Sequence, residues 1–257
     1  MKLQALIFDV DGTLADTEEA HRQAFNLAFA EAGLGWNWDR RLYGELLAVT
    51  GGKERIRHYV EKYGAQAPYA PEDDAFPGYV AQLHQNKTRL YTGLLEAGGI
   101  PLRPGIYRLL KEAHDSGLKL AIATTTSPAN IEALLRYSAP PEMAGWFDVI
   151  GDSEAAPIKK PAPDVYLYVL DRLGLAPAAC MAFEDSENGI RAARKAGLKT
   201  IVTVNEYTKN HDFTGAAIVL DHMGEPGEPF HVLSGNGVNG SDYLDLSLVT
   251  RLHGAAS

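Results

Sequence analysis

The chain has 257 residues, 46% of them hydrophobic and 22% charged, an ordinary globular composition long enough for one large core or for two domains. A formal charge of −9 makes no case for a nucleic-acid backbone as partner, and an anionic substrate would need locally placed cations or a metal to overcome it. No apolar stretch is long enough to span a bilayer, and the single cysteine, Cys180, excludes an internal disulfide framework.

In chain order, residues 5–8 read as a strand buried on both faces, followed at once by Asp9, Asp11 and a turn. A strand that ends so early in two carboxylates is not a signal peptide. With the lone cysteine this points to a reducing, cytoplasmic setting, or to a plastid stroma if a transit peptide has been removed. From about Thr17 to Gly99 the chain reads as helices without strands, at 18–32, 52–63 and 73–95, with Pro68, Pro71 and Pro77 in a connection. Further apolar runs at 118–123, 147–150, 180–183, 200–204 and 216–220 read as buried strands, separated by amphipathic segments. One of these starts after Pro104 and stops at Gly117. Another has Ser127 as N-cap and Pro128 as its first residue, and two more stop at Gly174 and Gly197. Strand and helix in alternation imply a doubly wound α/β core with a parallel sheet and helices on both faces. The helical block predicts an inserted domain at 17–99, with the core formed by 1–16 and 100–257 and a Gly- and Pro-marked junction at 97–105. The segment 221–240 reads as irregular.

In a sheet of this kind ligands bind beyond the carboxyl ends of the strands. Asp9, Asp11 and Thr13 follow the first strand, Thr124, Thr125 and Thr126 the second, and Glu184 and Asp185 the fourth, while Lys159 and Lys160 come at some distance after the third. One edge of one sheet thus collects acids, hydroxyls and a lysine. Burying carboxylates together is costly unless they are paired or hold a cation.

The motifs "DVDGT", "TTTS", "KKPAPD" and "FEDSENGI", in this order, resemble the haloacid dehalogenase superfamily, and within it the phosphatase and β-phosphoglucomutase branch, whose helical cap is inserted after the first motif. The resemblance covers essentially the whole chain. It implies that Asp9 is a nucleophile forming an aspartyl-phosphate and that Asp11 is the general acid/base. It also implies Mg²⁺ on Asp9 and Asp185, with the Asp11 backbone carbonyl as a further ligand and Glu184 orienting waters around it. Thr124 would hydrogen-bond the transferring phosphoryl group, with Thr125 and Thr126 beside it in the substrate-binding set, and Lys160 would neutralise the charge. Lys159 reads as a solvated neighbour, and Thr13 as a residue that fixes the turn.

The cap should supply specificity. Glu18 and His21 lie on its first helix. His21 matches a histidine of the mutase branch, although alone it equally suits a helix surface. Lys87 matches a cap lysine of that branch. In "TGGKER", Gly51, Gly52, Lys53 and Arg55 read either as a helix start with solvated basic side chains or as a second anion site. Trp36 and Trp38 read as packing. The segments "AVTGGKERIRHY" and "TVNEYTKNHDFTGAAIVLDHMGEPGEPF" are similar to the CbbY-type subgroup. That likeness implies removal of a phosphate from xylulose 1,5-bisphosphate, an inhibitor of Rubisco, by a protein that is usually a monomer. Composition and spacing alone support a small phosphorylated molecule. A hexose-phosphate mutase, a phosphoglycolate-type phosphatase and a non-catalytic binding module remain as alternatives, and the full set Asp9, Asp11, Glu184 and Asp185 argues against the last.

Overall fold

The computed structural model describes residues 2–156 and 158–255; Met1, Pro157, Ala256 and Ser257, which the expected domain limits include, lie outside the described residues. The strands are β1 (Ala5–Phe8), β2 (Lys119–Ala123), β3 (Phe147–Gly151), β4 (Cys180–Glu184), β5 (Lys199–Thr203), β6 (Ile218–Leu220) and β7 (Val232–Gly235). They form one sheet in the order β3-β2-β1-β4-β5-β6-β7, parallel except for β7, which runs antiparallel to β6. The helices are α1 (Glu18–Glu31), α2 (Arg40–Leu46), α3 (Gly52–Tyr63), α4 (Phe76–Gly98), α5 (Ile106–Asp115), α6 (Pro128–Ser138), α7 (Asp164–Leu173), α8 (Glu187–Lys195) and α9 (Leu246–Gly254).

Alternation along β1 explains the layers. Leu6 and Phe8 point to one face and join Leu109 and Leu110 of α5 and Leu248 and Leu252 of α9. Ala5 and Ile7 point to the other and join Val165 and Val169 of α7 and Ala192 and Ala193 of α8. Cys180 is buried in this second layer. Among the described residues, no helix is long and apolar enough to cross a membrane.

The helical block after β1 has an apolar cluster of its own, built around Phe25, Phe29, Trp38, Tyr43 and Leu83. Trp38 is fully buried, its ring 4.7 Å from that of Phe25 and 4.8 Å from that of Phe29. The insert joins the core through two neighbouring segments: Ala15 bridges Leu102, and the Arg103 amide donates to Leu14 O at 2.9 Å. The Arg103 guanidinium, buried, bonds the carbonyls of Gly12, Thr203, Val204 and Asp221, so it ties the loop after β1 to the ends of β5 and β6.

Four expectations need correction. Pro77 is not in a connection but is the second residue of α4. The 147–150 run is not buried on both faces: Asp148 and Ile150 are exposed, because β3 is the sheet edge. The 221–240 segment is not wholly irregular, since it contains β7, whose four residues are all exposed and so carry no buried-strand signature. The insert contains a further short helix, α2, capped by Asp39 Oδ1 accepting from the Leu42 amide at 2.7 Å.

Trp38→Ala should destabilise the protein by about 3–5 kcal/mol, the usual cost of truncating a buried aromatic. Urea unfolding followed by circular dichroism should show the loss as a lower midpoint.

Candidate active site

The strand order brings the acids together. β1 lies between β2 and β4, and Phe8 pairs with Phe183, so Asp9 comes level with Glu184 as the two strands end. The Asp9 amide donates to Phe183 O at 3.0 Å and fixes that register. Connections leave in opposite directions on either side of β1, which opens a crevice there. The crevice widens into a cleft of about 1130 Å³, with Asp9, Asp11, Thr124, Lys160 and Asp185 on its floor and Gly51, Gly52 and Lys53 of the insert on its opposite wall.

Lys160 sits at the centre of the floor. Its Nζ lies 2.7 Å from Asp9 Oδ1, 2.6 Å from Glu184 Oε1 and 2.8 Å from Ala123 O. Burial weakens its charged form, but Asp9 and Glu184 outweigh that and raise its pKa. Asp9 is pushed up to about 7, chiefly by burial and also by Glu184 and Asp11, against the opposing pull of Lys160. Asp185 is pushed well above the carboxylate range by burial, Asp9 and Glu184, and among the described residues its one side-chain hydrogen-bond partner is the amide of Asn205, at 2.7 Å.

Asp11 is built differently. Burial pushes its carboxyl up, but His21 and the Thr17 hydroxyl outweigh it and hold Asp11 well below the usual range. Thr17 Oγ1 donates to Asp11 Oδ1 at 2.6 Å, His21 Nε2 lies 2.9 Å from the same oxygen, and His21 Nδ1 lies 2.6 Å from Lys87 Nζ. An ionised carboxylate can only accept, so His21 carries its proton on Nε2 and accepts from Lys87 on Nδ1. The imidazole stacks on Tyr91 with centroids 3.9 Å apart. Burial lowers Lys87 to about 7.

Could this floor hold a cation? Asp9, Glu184 and Asp185 each offer an oxygen, all within 4.8 Å of one another. Glu184 Oε1 is taken by Lys160 and by the Tyr166 hydroxyl at 2.5 Å, while its Oε2 is buried with no hydrogen-bond partner among the described residues. A Cβ at Gly189 would come within 1.8 Å of that oxygen, so only glycine leaves the carboxylate its place. Asp9 and Asp185, both raised by burial and by neighbouring carboxylates, together with a buried oxygen that has no partner among the described residues, fit an oxygen-ligated divalent cation.

The other expected residues are distributed as follows. Thr124 is buried at the end of β2, and Thr125 and Thr126 line the cleft, with Thr126 Oγ1 accepting from Asn130. Glu18 accepts from the Tyr43 hydroxyl at 2.8 Å. Lys53 is exposed on the cleft wall. Arg55 also lines the cleft, but its guanidinium bonds Leu46 O, Val49 O and the Tyr43 hydroxyl, so it braces the 46–49 loop. Thr13 is fully buried, its hydroxyl without a hydrogen-bond partner among the described residues. Ser127 occupies the N-cap position of α6, but its hydroxyl makes no cap bond. Lys159 is not simply solvated: it pairs with Glu54 of the insert at 2.9 Å. Sequence reasoning did not single out Thr17, Tyr166 or Asn205. Asn205 comes two residues after β5, and reading that strand end as the others were read would have exposed it.

The model of the haloacid dehalogenase-like hydrolases matches residues 3–197. The chain belongs to this family. It is 54% identical over 230 residues to the plasmid-encoded CbbY protein of Cupriavidus necator, covering 88% of each chain. It is 49% identical over 216 residues to CbbY of Rhodobacter capsulatus, covering 84% of this chain and 92% of the relative. Among solved structures, a mutant CbbY from Rhodobacter sphaeroides in complex with xylulose-(1,5)bisphosphate superposes with a TM-score of 0.79 at 44% identity, over 86% of this chain and 94% of that one. The chain is thus a phosphatase of the haloacid dehalogenase type.

The raised carboxylates give a linkage prediction for the metal-free protein. Between the ordinary carboxylate pKa and about 7 the folded state keeps a proton on Asp9 that the unfolded state has lost. Folding stability therefore falls as pH rises through that window. Thermal unfolding of chelator-treated protein from pH 4 to 7 should show this fall. Asp9→Asn should lessen it, Asp185 still contributing, and a divalent cation added at pH 7 should recover the lost stability.

Proposed function

We propose that this phosphatase is Mg²⁺-dependent and removes one phosphate from a sugar bisphosphate, xylulose 1,5-bisphosphate, through an aspartyl-phosphate on Asp9. In this reading it is a cytoplasmic monomer with a core of 1–16 and 100–257 and a cap of 17–99. The observation that carries the reading is the cleft itself. A buried acid cluster with one lysine faces, across the cleft, a Gly-rich turn at a helix N-terminus beside Lys53. Two facing sites for negative charge suit a molecule with a phosphate at each end. The 44% identical Rhodobacter sphaeroides structure with xylulose-(1,5)bisphosphate supports the choice of sugar.

In the first step an Asp9 oxygen forms a bond to phosphorus while the bond from phosphorus to the sugar oxygen breaks, and the departing alkoxide takes a proton from Asp11. In the second step Asp11 takes a proton from water, the water oxygen bonds to phosphorus, and the Asp9–phosphorus bond breaks. His21 and Thr17 keep Asp11 ionised. A phosphate dianion beside it acts in the opposite sense and favours the protonated acid that the first step needs. Thr124 donates to the transferring group, and Lys160, already against Asp9, compensates its charge. Asp9, Asp185 and the Asp11 carbonyl would hold Mg²⁺, with Glu184 behind them, and the bound ion would supply charge neutralisation at the phosphoryl group. Glu18, His21 and Lys87 border the sugar. Gly51, Gly52 and Lys53 take the remote phosphate, with Arg55 shaping the adjoining loop.

Asp9→Asn should abolish Mg²⁺-dependent phosphate release while leaving circular dichroism unchanged. Retained turnover would mean that water attacks directly. Formation of an isomeric sugar phosphate in place of free phosphate would make the enzyme a mutase.

Lys53→Ala should lower kcat/KM for the bisphosphate about tenfold, the scale of one charge-assisted hydrogen bond, and leave a small monophosphate nearly unchanged. Equal losses on both substrates would remove the remote phosphate from this turn.

A further inference from the structure

The seam between insert and core is held by a few polar contacts. Lys159 Nζ lies 2.9 Å from Glu54 Oε2. Asn188 donates its side-chain amide to Ala48 O at 3.1 Å and lies 3.0 Å from Thr50 Oγ1. The Tyr207 hydroxyl donates to Glu19 at 2.8 Å. The first of these joins the two motifs most closely linked to phosphate, "KKPAPD" and "TGGKER". The successive lysines diverge: Lys160 turns down into the acid cluster and Lys159 reaches across to the insert. The pair is packed against the backbone of the Gly-rich turn, since a Cβ at Gly51 would lie 2.2 Å from Glu54 Oε2 and 2.6 Å from Lys159 Nζ.

An acid between Lys53 and Arg55 is out of place in a turn that grips phosphate, because its charge repels the ligand. Its position makes sense if that charge is neutralised from outside the turn. Lys159 does this, and it does so from the other domain.

We propose that Lys159 and Glu54 are a positioning pair that seats the Gly51–Gly52 turn over the catalytic floor when the cap is closed, and that Lys159 is not a phosphate ligand. The proposal rests on the reading of that turn as the remote-phosphate subsite. A half-exposed ion pair adds little to the stability of a rigid fold. Across a hinge the same interaction enters the balance between open and closed caps, where a small free energy changes the populations several-fold. Closure aligns the reacting phosphate, so the pair acts on catalysis without touching the reacting atoms.

Charge exchange tests this. Lys159→Glu and Glu54→Lys should each lower kcat/KM for the bisphosphate by about tenfold, and the double exchange should return it to within about threefold of wild type, as coupled neighbours do in a mutant cycle. A double variant as slow as Lys159→Glu alone would make Lys159 a substrate contact and overturn the proposal. So would single variants that lose nothing. A second arm does not depend on the substrate. Fluorescent labels on Glu61→Cys in the insert and Asp171→Cys in the core report cap closure with inorganic phosphate present, the buried Cys180 staying unlabelled. The single exchanges should lengthen the distance and the double should restore it. An unmoved distance overturns the pair. Restored distances in a protein that releases no phosphate from any sugar bisphosphate would instead overturn the substrate reading and leave the pair standing.

Discussion

The ammonium of Lys160 is the interaction on which the catalytic floor depends. It binds Asp9, Glu184 and a backbone carbonyl at once, from a site closed to solvent. Four carboxylates meet in this corner, and their compensation is unequal. Asp9 and Glu184 share the lysine. Asp11 has a histidine and a threonine hydroxyl. Asp185 has one neutral amide. A buried charge without a partner is costly. The deficit therefore lies on the Asp9–Asp185 side, where the oxygens of the cluster converge.

The rest of the fold maintains this arrangement. Parallel strands buried on both faces hold the strand ends rigid and aim them at one crevice. Tyr166 of α7 and Gly189 of α8 hold the Glu184 carboxylate from behind, the first by a hydrogen bond and the second by leaving room. Arg103 ties the loop after β1 to the ends of β5 and β6 beside the junction with the insert, so the insert's connection and the loop that carries Asp9 share one anchor. The insert supplies the opposite wall from its own apolar cluster, and so presents the Gly-rich turn and the His21–Lys87 pair as parts of a separate packed unit.

The core of this arrangement is legible in the sequence because the physics there is local. A short apolar run ending in acids announces a buried strand with a site at its end, and the parallel strands were found in this way. β7 escaped that reading because its residues are exposed, while β3 was read as a strand but, as an edge strand, is not buried on both faces. The same limit applies to the site. Asp9, Asp11, Glu184 and Asp185 stand next to strands and can be read off. Thr17, Tyr166 and Asn205 reach the acids from an insert junction, a helix and a later loop, and only the packed chain shows their convergence. Lys159 and Arg55 show the reverse problem. Both have a chemistry that suits phosphate, and both are engaged by protein partners that lie far off or in the neighbouring loop.

The central claim is that Asp9, Glu184 and Asp185 form a cation site in which Asp9 and Asp185 hold protons until the cation arrives. Calorimetric titration of Mg²⁺ into metal-free protein at pH 6, repeated in buffers of different ionisation enthalpy, tests it directly. The account predicts binding accompanied by proton release from the acid cluster, and loss of both in Asp185→Ala. Binding without proton release, or binding that survives Asp185→Ala unchanged, would contradict it.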